Sequence, residues 1–397
     1  MHIGLVSPAW PADHYANGIV TYVHHLRGEL LKQGHRVSVF ANEIGSTNTD
    51  FEIYQIAPSI MQKIGWRFHE LLRGPTHYPF SWGNAIASTI RRIHHTNPID
   101  VIEMEESFGW CAAVQRRVGV PVVVKLHGPA HLTLIGAERS TAFGRTRLSR
   151  EREGLKRMSA IISPSNSALT PTLEKYGLTP KVCRVIPNPL AIDECVPLWD
   201  LKSCAKKTIL FVGRFDQLKG GDTILHAFKR LLEVDKDLKL IFVGPDRGII
   251  SDQGTCISFA NFRDALFTRS QIADLDYLGQ VSRDNIVELR RRAHITVVPS
   301  RWESQGYTAL EAMIQGCPVV AFATSGLNEA IEHEQTGLLA RPGDVDDLCQ
   351  QILRIMRDPA LGQTLGERAR RSVLEKHSPA KIAEATIDVY HDAISAR

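Results

Sequence analysis

The chain has 397 residues, 43% of them hydrophobic and 23% charged, which suits a soluble globular protein of two domains rather than one core. The formal net charge is only +4, yet residues 1–190 carry 21 Lys+Arg against 14 Asp+Glu, while residues 191–397 carry 26 against 29. That balance offers no general nucleic-acid affinity, and it points the basic first half toward an anionic ligand or membrane surface.

No stretch approaches the roughly 20 apolar residues of a membrane-spanning helix. Met1 to Ser7 reads as a strand rather than a secretory leader, and the seven cysteines are odd in number with no C-x-x-C. These features predict free thiols in a reducing compartment and a cytoplasmic protein, peripheral at most to the inner membrane face.

His2 to Ser7 is an apolar strand, and the loop from Pro8 to Gly18 follows it. Asn17-Gly18-Ile19 opens a helix with apolar residues at 19, 20, 23, 26, 30 and 31, near helical spacing. Gly34 ends the helix, and Arg36 to Phe40 is the next strand. Strand, loop, helix and strand in this order begin a doubly wound sheet, which binds ligands at the carboxyl ends of its strands. Residues 58–82 interleave aromatic and basic side chains, a pattern that suits either a membrane-facing amphipathic helix or a helix packed in the core.

Asp100 to Met104 is a strand that ends among acids, Glu103, Glu105 and Glu106. Pro121 to Leu126 is another, and it runs into His127-Gly128-Pro129, placing a histidine at a strand end rather than in the core. A basic helical stretch spans Arg145 to Arg157. Ala160 to Ser163 is a strand, and the loop Pro164-Ser165-Asn166-Ser167 caps a helix toward Tyr176. Val182 to Pro187 closes the first half. The segment from Asn188 to Ala205 reads as a linker.

The pattern then restarts. Thr208 to Val212 is a strand, and Gly213 to Gly221 is a glycine-rich loop carrying Arg214 and Lys219. Its glycines let the backbone turn tightly, and its two cations suit phosphate oxygens. It is neither a Walker A loop nor G-x-G-x-x-G. Asp274-Leu275-Asp276 is formally D-x-D, but it falls on a strand edge and reads as structural. Ile295 to Val298 is a strand that leads to Pro299-Ser300-Arg301-Trp302-Glu303-Ser304-Gln305-Gly306 and a helix from about Tyr307. Glu303 and Glu311 stand at E-x7-E spacing, one before this helix and one inside it. Free N–H groups at a helix start hold anions, while carboxylates accept from sugar hydroxyls.

The ordered set resembles the retaining, nucleotide-sugar-dependent glycosyltransferases of the GT-B fold, family four. It comprises Asn17-Gly18, His127-Gly128, V-G-R…K-G at 212–220, E-S-Q-G-Y-T-A-L-E-A-M at 303–313, G-C-P-V-V at 316–320, and Glu329 before T-G-L-L at 336–339. The resemblance covers essentially the whole chain. It implies an α/β GT-B architecture of two Rossmann-like doubly wound domains facing a central cleft. Residues 1–190 would form the acceptor-binding domain and residues 205–377 the donor-binding domain, with a C-terminal helix at about 378–397 packing back on the first.

By the same resemblance, Arg214 and Lys219 bind the donor diphosphate, joined by the Gly18 N–H and the backbone of Gly306, Tyr307 and Thr308. Glu303 contacts the donor sugar, Glu311 accepts from the ribose hydroxyls, and His127 lies near the reacting centre. Backbone at Gly279 and Val281 holds the base. The catalytic set is then His127, Glu303, Arg214 and Lys219. No cofactor or essential metal is implied, because the Arg/Lys pair takes the metal's part. The partners implied are a nucleotide-sugar donor and a glycan, lipid-linked or small-molecule acceptor. The chain departs from many relatives at Asn17, where they have Gly, and at Gln305, where they have Phe. The alternatives are a nucleotide-sugar epimerase of the same architecture and a noncatalytic nucleotide-sugar binding protein.

Overall fold

The computed structural model describes residues 1–15, 17–45, 50–58, 78–191, 196–251 and 254–396. The chain divides into two compact units, Met1–Ala191 with His377–Arg397, and Ile192–Lys376. Most of the aromatic and basic stretch, residues 59–77, lies outside the described residues.

The first unit is built on the strands β1 (His2–Trp10), β2 (Arg36–Ile44), β3 (Ile53–Gln55), β4 (Val101–Glu105), β5 (Val122–Lys125), β6 (Ala160–Ser163) and β7 (Val182–Val185). They pair in parallel in the order β3-β2-β1-β4-β5-β6-β7. The near-continuous apolar runs of β4, β5 and β6 are buried on both faces, as parallel strands with helices on each side must be. Ile86, Ile90, Met104, Val114, Val124 and Ile161 anchor that core.

The direction in which the chain winds reverses between β1 and β4, so the loops after these two strands flank a crevice at their carboxyl ends. β1 runs three residues beyond the expected strand, through Pro8 to Trp10. β4 pairs only with Ile3–Leu5, which leaves one side of β1 unpaired at Pro8, where a missing N–H costs no ladder bond.

The C-terminal helix Pro379–Ser395 belongs to this first unit and packs on the helix Gly18–Lys32 and on β4, β5 and β7. Tyr390 donates to Glu103 Oε2 at 2.9 Å, and Tyr22 donates to Glu103 Oε1 at 2.8 Å. Lys125, also buried, donates to the Ile186 carbonyl at 2.6 Å and lies 5.0 Å from the Tyr22 ring centroid. Glu103 is therefore buried with both oxygens satisfied, the condition for hiding a carboxylate at tolerable cost.

The second unit repeats the plan with β8 (Ala205–Val212), β9 (Lys239–Val243), the short hairpin of β10 (Ile249–Ile250) and β11 (Cys256–Ile257), β12 (Leu275–Gly279), β13 (Ala293–Val298), β14 (Val319–Phe322) and β15 (Leu338–Ala340). The main sheet is parallel, in the order β12-β9-β8-β13-β14-β15, around a core that includes Phe211, Phe228, Phe242, Val297 and Ile352. The winding reverses between β8 and β13. Asp276 stands on the edge strand β12 and Asp274 in the turn before it. The hairpin has no sequence signal beyond Gly248 and Gly254, both at positive φ. No helix among the described residues is long and apolar enough to cross a membrane.

Candidate active site

Two loops meet at the reversal point of the second unit. Gly213–Gly220 follows β8, and Pro299–Gly306 follows β13. Close backbone approach joins them. Gly220 has φ +73°, and a Cβ there would stand 2.0 Å from the Pro299 carbonyl oxygen, so only glycine fits. Arg301 N donates to the Leu218 carbonyl at 2.9 Å, and the Arg301 guanidinium grips Asp222 through two bonds of 2.8 and 2.7 Å.

The side chains converge on this seam. Lys219 Nζ donates to Glu303 Oε1 at 2.6 Å, and Ser300 Oγ donates to the same oxygen at 2.8 Å. Glu303 is 7% exposed. Its backbone is held from the start of the helix Ser325–Ala330, by Glu303 N to Ser325 Oγ at 3.0 Å and Gly326 N to the Glu303 carbonyl at 3.0 Å. Asp216 staples the β8 loop: it accepts Arg214 Nε at 2.6 Å and Lys219 N at 2.7 Å. The Arg214 side chain is 44% exposed, and its terminal nitrogens bond to no described residue. The seam thus presents a guanidinium fork and an ammonium beside a carboxylate with one oxygen, Oε2, unbonded among the described residues.

Gly306, at φ +84°, caps the helix Tyr307–Ile314, and a Cβ there would meet Leu327 Cδ2 at 2.6 Å. The Tyr307 and Thr308 N–H groups precede the first turn of i−4 bonding, which begins with Leu310 N to Gly306 O. One turn in, Glu311 Oε2 accepts from Arg290 Nη2 at 2.6 Å, and Arg290 is almost wholly buried. Gly279 ends β12 at φ +62°, paired with Val243 of β9, and its carbonyl accepts Gly244 N at 2.8 Å. Val281 lies just beyond, half-buried against Leu210 and Val243.

In the first unit, Gly18 opens the helix Gly18–Lys32, whose Asn17 cap accepts Ile19 N at 2.8 Å. This is the role the Asn side chain adds where a Gly would have none. His127 follows β5, its ring edge-on to Tyr22 at 5.0 Å. Burial, with the Lys125 charge, pushes its imidazole down to about 3, so the ring is neutral at physiological pH.

Sequence reasoning noted the acids at the end of β4, Glu103, Glu105 and Glu106, without giving them work. Glu106 accepts both His127 N at 2.9 Å and Gly128 N at 2.7 Å. Burial and the neighbouring Glu151 and Glu105 push its carboxyl up to about 8, a shift that the Gly128 N–H opposes. Arg290, Asp216 and Ser300 were also missed. A lone buried Arg opposite an acid 21 residues away leaves no local pattern.

Residues 201–372 match the family model described as glycosyl transferases group 1, and residues 16–194 match that of glycosyltransferase family 4. Over 384 residues the chain is 24% identical to the N-acetyl-alpha-D-glucosaminyl L-malate synthase of Bacillus anthracis, covering 92% of this chain and 91% of that protein. Among solved structures it resembles sucrose-phosphate synthase from Thermosynechococcus elongatus, at TM-score 0.78, 22% identity and full coverage of both chains. It also resembles Anabaena HepE in complex with UDP-glucose, at TM-score 0.71 and 17% identity, covering 99% of this chain and 100% of that one. With two doubly wound units and these matches along nearly its whole length, the chain belongs to the GT-B glycosyltransferases of the family-four kind, enzymes that use nucleotide-sugar donors.

Proposed function

We propose that the chain is a retaining hexosyltransferase that takes a UDP-hexose, with GDP-mannose the second choice, and delivers the sugar to an acceptor hydroxyl. The observation that carries this reading is the contact of Lys219 with Glu303, beside Arg214, at the reversal point of the second unit. A phosphate-binding pair next to a sugar-binding acid suits a sugar diphosphate and little else. The Anabaena complex with UDP-glucose favours the uridine donor.

In this reading the diphosphate lies against Arg214 and Lys219, with N–H groups of Gly18, Gly306, Tyr307 and Thr308 completing its shell. Glu303 accepts from sugar hydroxyls and Glu311 from the ribose. Backbone at Gly279 and Val281 meets the base. The bond from the anomeric carbon to the diphosphate breaks, and the acceptor oxygen bonds to that carbon on the same face. The departing diphosphate takes the acceptor proton. Arg214 and Lys219 absorb its growing charge, a stabilisation worth several kcal/mol where such donors are preorganised. His127, neutral, offers a hydrogen bond to the sugar near the reacting centre.

The reaction then needs no enzyme nucleophile, cofactor or metal. The first unit reads the acceptor, a glycan, a lipid-linked sugar or a small metabolite. The basic first half suits peripheral contact with an anionic membrane, and cell-envelope, polysaccharide or glycoconjugate synthesis is the setting that follows.

The test is a donor screen. UDP-, GDP- and ADP-sugars are compared by thermal shift and by slow hydrolysis, in wild type and Lys219→Ala. One nucleotide should stabilise the wild type and not the variant. NMR of the released or transferred sugar, read early, should show the donor's own anomeric configuration. An equal shift in both proteins removes the diphosphate assignment, and an inverted product removes the retaining mechanism.

A further inference from the structure

The turn that carries His127 is held from beneath by acids. His127, Gly128 and Ala130 each have a backbone N–H, whereas Pro129 has none. All three N–H groups end on carboxylates: His127 and Gly128 on Glu106, at 2.9 and 2.7 Å, and Ala130 on Glu151 Oε2, at 2.7 Å. Both acids are completely buried. They come from different elements, Glu106 from the turn after β4 and Glu151 from the helix Ala142–Leu155.

Glu151 is itself fixed. Arg147 Nε donates to its other oxygen at 3.0 Å, Tyr176 OH lies 3.5 Å from Oε2, and the Phe108 backbone also bonds to it. The helix reaches this depth because glycines meet there. A Cβ on Gly109, at φ +66°, would stand 2.1 Å from the Arg150 carbonyl oxygen, and a Cβ on Gly154 would stand 2.8 Å from Gly109 Cα. Phe108 accepts a left-handed φ of +55° in the same turn, a strained conformation that clusters at functional sites.

Burying a second and a third carboxylate beside Glu105 is expensive, and packing alone does not require it. A backbone turn with every N–H committed to a carboxylate acceptor is, however, rigid. Its rigidity is passed on to the ring that the turn carries, set edge-on to Tyr22.

We propose that Glu106 and Glu151 are positioning residues for His127, fixing the His127–Ala130 turn so that the imidazole meets the donor sugar. This rests on the reading of His127 given above. Neither acid touches the donor. They act through the backbone of another residue.

Glutamine cannot replace Glu106, because it offers one acceptor and turns an NH2 donor against the second N–H. The experiment is a double-mutant cycle on the hydrolysis of UDP-glucose, or of GDP-mannose if the screen selects it. The four proteins are wild type, His127→Ala, Glu106→Gln and the double variant. Thermal melts of each variant without ligand serve as the folding control for the first unit, and the UDP-induced shift checks that the donor site of the second unit is intact.

Glu106→Gln should lower kcat about tenfold with KM for the donor little changed. In the His127→Ala background the same change should cost about twofold or less. If Glu106→Gln does not fold, Glu106→Asp, which keeps both carboxyl oxygens but shortens the reach, is read in the same cycle with the same expectation. Equal losses in both backgrounds would make the acids structural only and overturn the proposal. If His127→Ala alone loses nothing, the role of His127 fails first, and the positioning role falls with it. Hydrolysis of neither donor by the wild type would have the same consequence.

Discussion

Lys219 and Glu303 lie 84 residues apart in sequence, and their side chains meet at 2.6 Å. Each loop delivers one charge to the seam between β8 and β13. The ammonium is thereby aimed, but it is also partly engaged, and an incoming diphosphate must share it with the acid. Glu303→Gln keeps the shape and removes the competing charge. This variant should bind UDP as tightly as wild type or several-fold tighter by calorimetry, while turnover falls about 100-fold, the scale of losing one preorganised electrostatic contact. Loss of UDP binding together with turnover would refute the shared-cation account.

Arg290 holds one oxygen of Glu311 and leaves the other without a described partner. That arrangement points a single acceptor at the ligand. Arg290→Met should destabilise the second unit by about 1–2 kcal/mol, less than a fully buried pair would cost, because the Glu311 side chain it leaves is 25% exposed. It should also narrow the preference for UDP over 2′-deoxy-UDP, read by competition binding. An unchanged preference would separate Glu311 from the ribose.

Gly220 is irreplaceable on steric grounds. Its φ is +73°, and any Cβ at this position would sit 2.0 Å from Pro299 O, which leaves no room for a methyl group. Gly220→Ala should cost at least about 2 kcal/mol and pull the two loops apart. The melting temperature should fall by several degrees, and UDP binding should weaken more than in an equally destabilised variant such as Leu348→Ala, which lies in the core of the same unit.

The alternation of strand and helix was legible because parallel strands are buried on both faces and their helices are amphipathic, so each leaves a periodic signature. The loop chemistry was legible for a different reason. Glycines at 213, 220 and 306 and charges at 214, 219 and 303 sit where the backbone must turn, and Glu311 stands one helical turn beyond. What stayed hidden were the pairings. Nothing near Glu103 announces Tyr390, 287 residues away, and nothing near Glu311 announces Arg290. The three acids at the end of β4 were visible as a group, but their destinations, a tyrosine pair for Glu103, the Ser107 hydroxyl for Glu105 and a backbone turn for Glu106, depend on which way successive residues leave a strand end. Proline usually breaks a ladder, which is why Pro8 reads as the start of a loop. Here the ladder on that side had already ended.

His131 gives the pH dependence a clear sign. It is buried edge-on against Tyr176. Burial, with the Lys175 and Arg139 charges, pushes its imidazole down to about 4, against a weaker upward pull from the Pro171 backbone. The unfolded chain would hold that proton up to about 6.5. Between these values the unfolded state binds more protons, so the stability present above about pH 6.5 is lost as the pH falls toward 4. His131→Phe keeps the ring contact and removes the titration. The wild type should lose a few degrees more than the variant between pH 7 and pH 5 in matched melts. Parallel curves would show that His131 stays protonated or solvated in the fold.

The bond from Tyr390 to Glu103 also sets an order of events on the ribosome. All seven strands of the first unit's sheet precede residue 191, but the helix that covers Glu103 is made only after the entire second unit. During that interval Glu103 has Tyr22 as its tyrosine partner and lacks the other, and the face of β4, β5 and β7 awaiting the helix stays open to solvent or to a chaperone. The second unit, contiguous from 192 to 376, can close first. Of the two units, the one whose sheet is made earlier is thus the one whose chain is completed later.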